Sequence, residues 1–175
     1  GNGSLGLLTL GLLTDRVGRT YCLGRRDRPD PTIDVIERLG ATYVDSRETP
    51  LDEVPTVHEP MDLVFEATGY ARHAFETVEA LAPGGVGALV GVPGPWTFEI
   101  DGGTLHRDLV LGNKALVGTV NSGRRHFETA VETLAGLPEW LPETLVTTVV
   151  TPEDVDRAFR DDERTMKTAV EFSTI

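Results

Sequence analysis

The chain opens on Gly1-Asn2-Gly3-Ser4-Leu5-Gly6 and runs without a break into a leucine-rich segment, Leu7 to Val17. No other feature narrows the possible folds as much. The spacing is G-x-G-x-x-G at the mouth of a helix. The first glycine permits a tight turn out of a strand, the second lets backbone approach a pyrophosphate, and the third allows close helix–strand packing. A helix N-terminus adds free N–H groups and a partial positive charge for phosphate oxygens. The alternative reading is a glycine-rich tail, but a helix and then a strand at Thr20–Leu23 follow at the right distances. The motif also calls for a strand before it, and the given sequence starts at the loop.

Beyond the loop, helical and extended patterns alternate. Ser4–Val17 reads as a helix that is apolar on most faces, so it is expected to be buried. Asp30 and Pro31 read as an N-cap and first-turn proline, followed by Ile33, Ile36 and Leu39 at helical spacing, with Gly40 at the C-terminal stop. Ala41–Val44 reads as a strand and Arg47–Pro60 as a polar loop with a short helical turn. Asp62–Ala67 reads as a buried strand. Phe75, Val78 and Leu81 mark a helix that Pro83-Gly84-Gly85 should end. Val86–Val92 is nearly all apolar, the pattern of a parallel strand buried on both faces. A loop at Pro93–Gly103, a short helix with Leu105 and Leu109, and a strand at Ala115–Val120 follow. Phe127, Val131 and Leu134 share one helix face. Leu145–Val150, a helix from Thr151 with Val155, Ala158 and Phe159, and a strand at Thr168–Phe172 complete the chain.

Alternation of this kind predicts an α/β domain built on a parallel sheet. The nucleotide-binding version has strand order 3-2-1-4-5-6, so its first strand is central. Without that strand, two neighbours would face each other across a gap with unpaired backbone groups. The expectation is therefore a doubly wound sheet lacking its first strand, with the polypeptide extending upstream of Gly1. Residues 1–137 are expected to form the dinucleotide-binding domain. Residues 138–175 are expected to pack back toward an upstream catalytic domain.

The tip of the second strand decides between cofactors. An Asp or Glu there would accept hydrogen bonds from ribose hydroxyls. This sequence has Gly24-Arg25-Arg26 instead. Two guanidiniums suit a 2′-phosphate in forked geometry, which predicts NADP over NAD. Asp27 and Asp30 lie beyond the pair. The competing reading is a solvated charge cluster.

Charge and cysteine content exclude other classes. With 16 basic against 28 acidic residues, the net charge is -12. That argues against nucleic-acid and anionic-membrane partners, and no apolar run is long enough for a transmembrane helix. Only Lys114 and Lys167 are lysines. An acidic, lysine-poor surface suits high salt, where repulsion is screened within a few Å. The alternative is an ordinary acidic protein from a GC-rich genome. A single cysteine, Cys22, rules out an internal disulfide and fits a cytoplasmic location. His58, His73, His106 and His126 are not paired at metal-ligand spacing, so each reads as a surface or packing residue.

Several segments together carry a family resemblance: Gly1–Gly6, Cys22–Pro29, Glu66–Gly69, Gly91–Pro93, Asn113–Gly118 and Lys167–Phe172. The chain resembles the zinc-dependent medium-chain dehydrogenases over essentially its whole length. Within them, Arg25-Arg26 and Val120-Asn121-Ser122 are similar to the archaeal glucose dehydrogenases, the haloarchaeal branch in particular. The resemblance implies a Rossmann-type cofactor half of a two-domain enzyme that oxidises C1 of D-glucose to the lactone. It implies NADP as cofactor, with NAD possible, and zinc held by ligands upstream of this chain. Gly1, Asn2, Gly3, Ser4 and Leu5 would hold the pyrophosphate, and Arg25 and Arg26 the 2′-phosphate. Val90, Gly91 and Val92 would meet the nicotinamide through backbone groups. Thr119, Val120 and Asn121 would line its other side, with Asn121 also touching the sugar and Lys167 near the phosphates. Without the resemblance, the valines read as sheet core and Asn121 as a turn or N-cap residue. No catalytic residue is expected in this chain. Relatives form dimers or tetramers, with Ala115–Val120 as the candidate seam. Another alcohol, polyol or threonine dehydrogenase, or a nucleotide-binding module without catalysis, stays open at this point.

Overall fold

The computed structural model describes residues 1–160 and 165–173. Its first helix, α1 (Ser4–Leu13), begins directly after the glycine loop. It ends at Leu13 rather than at Val17 and is amphipathic in use. Leu7 and Leu10 are buried while Leu5 is half exposed, because only one side of α1 is covered. β1 (Tyr21–Gly24) follows, then α2 (Pro31–Arg38). Asp30 caps α2 as its sequence predicts, its carboxylate accepting from Thr32 N–H at 2.8 Å with Pro31 in the first turn. Gly40 lies just past the helix with φ +82°, a conformation that side chains with a Cβ rarely adopt. The chain then turns into β2 (Thr42–Asp45).

α3 (Val54–Val57) is the short helical turn expected in the polar stretch. β3 (Met61–Glu66), α4 (His73–Ala80) and β4 (Leu81–Leu89) form the next unit. Two expectations need correction here. Leu81 belongs to the strand rather than to the helix, paired with Met61, and Pro83-Gly84-Gly85 sits inside β4 as an irregularity in its register with β3. Lys114 ends α4 by donating to the Val78 carbonyl at 2.7 Å, and Gly84 N–H donates to Gly112 O. β3 and β4 are also less covered than their apolar sequences suggest. Leu63 and Val86 are exposed, because part of each strand borders open space.

α5 (Gly102–Leu111), capped by Asp101, leads to β5 (Ala115–Gly118) and α6 (Arg124–Gly136). Phe127 and Val131 share a face of α6, as their spacing predicts, and are 66% and 69% exposed, with no element of the described residues laid over them. α7 (Trp140–Leu145) precedes β6 (Val146–Val150), so Leu145 ends a helix rather than starting a strand. The helix expected from Thr151 is a kinked 3-10 segment, Pro152–Phe159, and β7 is Lys167–Val170.

All strand pairs are parallel. β1 pairs with β2, β3–β4–β5 form a second sheet, and β6 pairs with β7 in a third. β1 and β3 each have a neighbour on one side only, and a cavity of about 770 Å³ lies between them, lined by both strands and by α1. The gap predicted for a sheet without its central strand is thus present. β5 is a sheet edge, as expected. The main core joins Leu7, Leu10, Cys22, Val35, Ile36, Ala41, Leu141 and Leu145. α7 therefore packs with α1 and α2, and Arg38 lies over the Trp140 ring at 3.9 Å.

Candidate functional site

The glycine loop, the tip of β1 and the ends of β3 and β4 converge. In α1 the first intrahelical bond runs from Leu7 N–H to Gly3 O at 2.9 Å, and no side chain caps the helix. The N–H groups before Leu7 therefore have no acceptor within the helix and are available to an anion. A Cβ on Gly6 would overlap the carbonyl oxygen of Gly1, so the loop can fold back on its own helix only with glycine there. Asn2 is anchored outward. Its amide donates to the Thr32 hydroxyl at 3.0 Å, which in turn donates to Asp30. Cys22, on β1 beneath the loop, is buried, and burial pushes its thiol up, so it serves as packing.

Arg25 and Arg26 follow the end of β1 and line the same cavity as Gly1 and Asn2. Both are exposed, and Arg26 comes only within 4.0 Å of Asp30. The arginine segment is fastened from β2. The Tyr43 hydroxyl accepts from Arg26 N–H at 2.8 Å and donates to Arg26 O at 3.0 Å. Burial pushes the Tyr43 phenol up, so it keeps its proton. Arg47 reaches Asp27 at 2.6 Å and also grips Asp45, holding the Asp45 carboxyl down at about 2.

On the other side of the cavity, Glu66 ends β3. It is buried, and one carboxylate oxygen accepts from Thr68 N–H at 2.6 Å, Gly69 N–H at 3.1 Å and the Thr68 hydroxyl. Its carbonyl accepts from Val90 and Gly91 N–H at 2.9 and 3.2 Å. One residue thus shapes both turns at the tips of β3 and β4. Thr68 abuts the glycine loop, since a Cβ on Gly1 would lie 2.8 Å from Thr68 Cγ2. The loop after Val92 is held by packed rings, Trp96 tilted against Tyr70 and Phe98, and Phe98 edge-to-face with Phe75.

His73 lines the cavity with its Nδ1 3.1 Å from Thr68 Oγ1. The Thr68 proton goes to Glu66, so the imidazole donates from Nδ1, and its Nε2 lies 3.7 Å from Glu76 Oε2. Burial lowers the His73 pKa, offset in part by the Glu66 carboxylate. Between that lowered value and 6.5 the unfolded chain binds more protons than the folded one, so stability falls as pH drops through this window. The expected result is a His73 ring titration with its midpoint below 6.5, followed by the pH dependence of its Cε1–H resonance. A midpoint at or above 6.5 would contradict the buried, neutral ring.

Val90, Gly91 and Val92 lie just past β4, and Thr119, Val120 and Asn121 just past β5, with Thr119 N–H donating to Leu89 O at 3.1 Å. Both groups stand at the carboxyl ends of adjacent parallel strands, where ligands of open α/β sheets bind. Val92, Val120 and Asn121 are exposed, so the sheet-core reading of those valines is excluded. Asn121 does not cap α6. Gly123 does, with its N–H donating to His126 Nδ1 at 2.9 Å. Lys167 opens β7, in a different sheet from the glycine loop's neighbours, and does not line the cavity. Among the described residues, no three His, Cys, Asp or Glu side chains converge as a metal site.

Sequence reasoning assigned no site role to Glu66, Tyr43 or Arg47 and read His73, which lines the cavity, as a surface or packing residue. The available signal was weak: a carboxylate ending an apolar strand, and Tyr43, Asp45 and Arg47 at alternate positions leaving β2.

The family described as glucose dehydrogenase C-terminus matches residues 1–172. A glucose 1-dehydrogenase of Haloarcula marismortui is 61% identical over 175 residues, covering 100% of this chain and 49% of that protein. A solved glucose dehydrogenase of Haloferax mediterranei, in complex with NADP, Zn and gluconolactone, superposes with a TM-score of 0.95 at 59% identity, covering 100% of this chain and 50% of that one. A 2R,3R-butanediol dehydrogenase of Bacillus subtilis shares the fold at 19% identity and a TM-score of 0.75. The chain spans about half the length of the curated relatives it matches.

Proposed function

We infer, since this chain belongs to the glucose dehydrogenase C-terminus family, that it is the NADP-holding half of a glucose 1-dehydrogenase. The observation that carries the reading is one cavity with two phosphate-binding features on its wall. One is the uncapped N-terminus of α1 behind the glycine loop, the other the exposed Arg25-Arg26 pair at the tip of β1. Their chemistry fits a dinucleotide with a 2′-phosphate.

Bound NADP⁺ would accept the hydride that leaves C1 of D-glucose as the lactone forms. The chain's own contribution is binding and orientation. Backbone N–H groups of the Gly1–Leu5 loop would face the pyrophosphate. The backbone at Val90–Val92 would fix the nicotinamide, with Glu66 holding that turn in place. Thr119, Val120 and Asn121 would lie on the other side, with Asn121 within reach of the sugar. A zinc ion, which the relatives' chemistry implies, has no donor set among the described residues. Its ligands, and the first strand that would fill the gap between β1 and β3, are proposed to lie in upstream sequence. Of residues 138–175, α7 packs in the main core with α1 and α2, and the part that follows it is proposed to run toward that upstream domain. The exposed edge of β5 is the proposed seam of a dimer or tetramer. The acidic surface fits a haloarchaeal cytoplasm.

The intact polypeptide, purified in molar potassium chloride with zinc, should reduce NADP⁺ when D-glucose is added, followed at 340 nm. Turnover of butanediol, polyols or threonine with none of glucose would move the reading to another dehydrogenase. Cofactor binding without turnover of any of them would favour a non-catalytic nucleotide module.

A further inference from the structure

β2 bears the residues that shape the arginine segment. Side chains two apart along a strand share a face, so Tyr43 and Asp45 point the same way, and Arg47 follows as the strand ends. Tyr43 and Arg47 are engaged with the segment after β1, and Asp45 with Arg47. The Tyr43 hydroxyl takes both backbone groups of Arg26, at 2.8 Å and 3.0 Å. Arg47, gripped by Asp45, holds Asp27 at 2.6 Å. Further along, Arg28 pairs with Glu37 of α2. Arg26 is therefore held by both its backbone groups and Asp27 and Arg28 by side-chain ion pairs, while the Arg25 guanidinium has no ion-pair partner among the described residues.

We propose that Tyr43 and Arg47 are positioning residues for cofactor choice: they hold the Arg25–Asp27 backbone in the shape that presents both guanidiniums to a 2′-phosphate. This rests on the NADP reading above. The chemistry is preorganisation. A mobile loop would lose conformational freedom on binding a phosphate, and a fastened one has already lost it. NAD has no 2′-phosphate and draws nothing from the two guanidiniums, so its affinity should not depend on the fastening. Tyr43 touches the peptide groups of Arg26 and no side-chain charge, so its effect on phosphate binding acts through geometry.

Asp27 gives the sharper test, because two explanations predict opposite signs. If charge alone mattered, removing the Asp27 carboxylate would raise the local positive potential and tighten NADP⁺ binding. If the Arg47–Asp27 tie matters, removing it should loosen the segment and weaken NADP⁺ binding.

The experiment is isothermal titration of the intact polypeptide with NADP⁺ and with NAD⁺ at one fixed potassium chloride concentration. Wild type, Tyr43→Phe, Asp27→Asn and Arg25→Ala/Arg26→Ala are compared, with near-ultraviolet circular dichroism confirming the fold of each. Tyr43→Phe keeps the ring and loses only the hydroxyl. It removes both hydrogen bonds to Arg26 and should raise the NADP⁺ dissociation constant about fivefold, and leave NAD⁺ within about twofold. Asp27→Asn should weaken NADP⁺ about threefold. Unchanged NADP⁺ affinity in Tyr43→Phe, an equal loss for both cofactors, or tighter NADP⁺ binding by Asp27→Asn overturns the proposal. The double-arginine variant separates the two levels. If it leaves NADP⁺ affinity intact, the cofactor reading itself fails. If it abolishes the NADP⁺ preference while Tyr43→Phe leaves NADP⁺ affinity unchanged, only the positioning role fails.

Discussion

Replacing Arg25 and Arg26 together by alanine is expected to raise the dissociation constant for NADP⁺ about 100-fold while changing that for NAD⁺ by less than about threefold. The magnitude follows from the chemistry. A hydrogen bond to a charged group contributes roughly 1.5–3 kcal/mol, and two of them at the low end make about 3 kcal/mol, or two decades in affinity. Neither arginine is committed elsewhere. Arg26 is about half exposed and reaches Asp30 only at 4.0 Å, a separation at which an exposed pair contributes little. Withdrawing them should therefore cost the fold almost nothing. The effect should shrink as salt rises, because exposed charges are screened, so the titration belongs at several potassium chloride concentrations. Equal affinities for the two cofactors in folded wild type would remove the basis for NADP preference.

Leu141→Ala should destabilise the protein by about 2–5 kcal/mol, the usual range for emptying a leucine site in a packed core. Leu141 has no exposed surface and sits in the cluster with Leu7, Leu10 and Ile36. It also presses on α1: a Cβ on Gly11 would come within 2.5 Å of Leu141 Cδ2. Denaturant unfolding at fixed salt measures the loss, and Phe127→Ala, on an exposed helix face, is the comparison expected to lose much less. A loss below about 1 kcal/mol for Leu141→Ala would mean that α7 is not part of this core.

Those two positions illustrate what was legible and what was not. The place of the arginine pair was readable because it depends on a short interval: a glycine loop, a helix, a strand and then the strand's tip. Leu141 was not readable. Pro138 and Pro142 bracket it, and prolines in a sequence read as breaks, whereas here α7 simply begins between them. The same limit explains Phe127, Val131 and Leu134. Their spacing announces a helix face suited to burial, and α6 forms, but spacing says nothing about which element covers the face. It also explains Leu81. Helical periodicity continued through it, yet pairing with Met61 drew it into β4. In the site, Glu66 and Tyr43 escaped notice because their partners are turns and backbone groups distant in sequence or formed only when strands align.

What the sequence determined by itself was local. The α/β alternation, the glycine loop opening α1, the Asp30-Pro31 start of α2 and the arginines at the strand tip all rest on interactions within a few residues, which spacing and residue type control directly. The tertiary structure decided what depends on distant neighbours: which strands pair and which edges face the cavity, which apolar faces are covered, and that β2 fastens the segment carrying Arg25 and Arg26. Burial and strand pairing are properties of two elements at once, and one element's sequence carries only half of each.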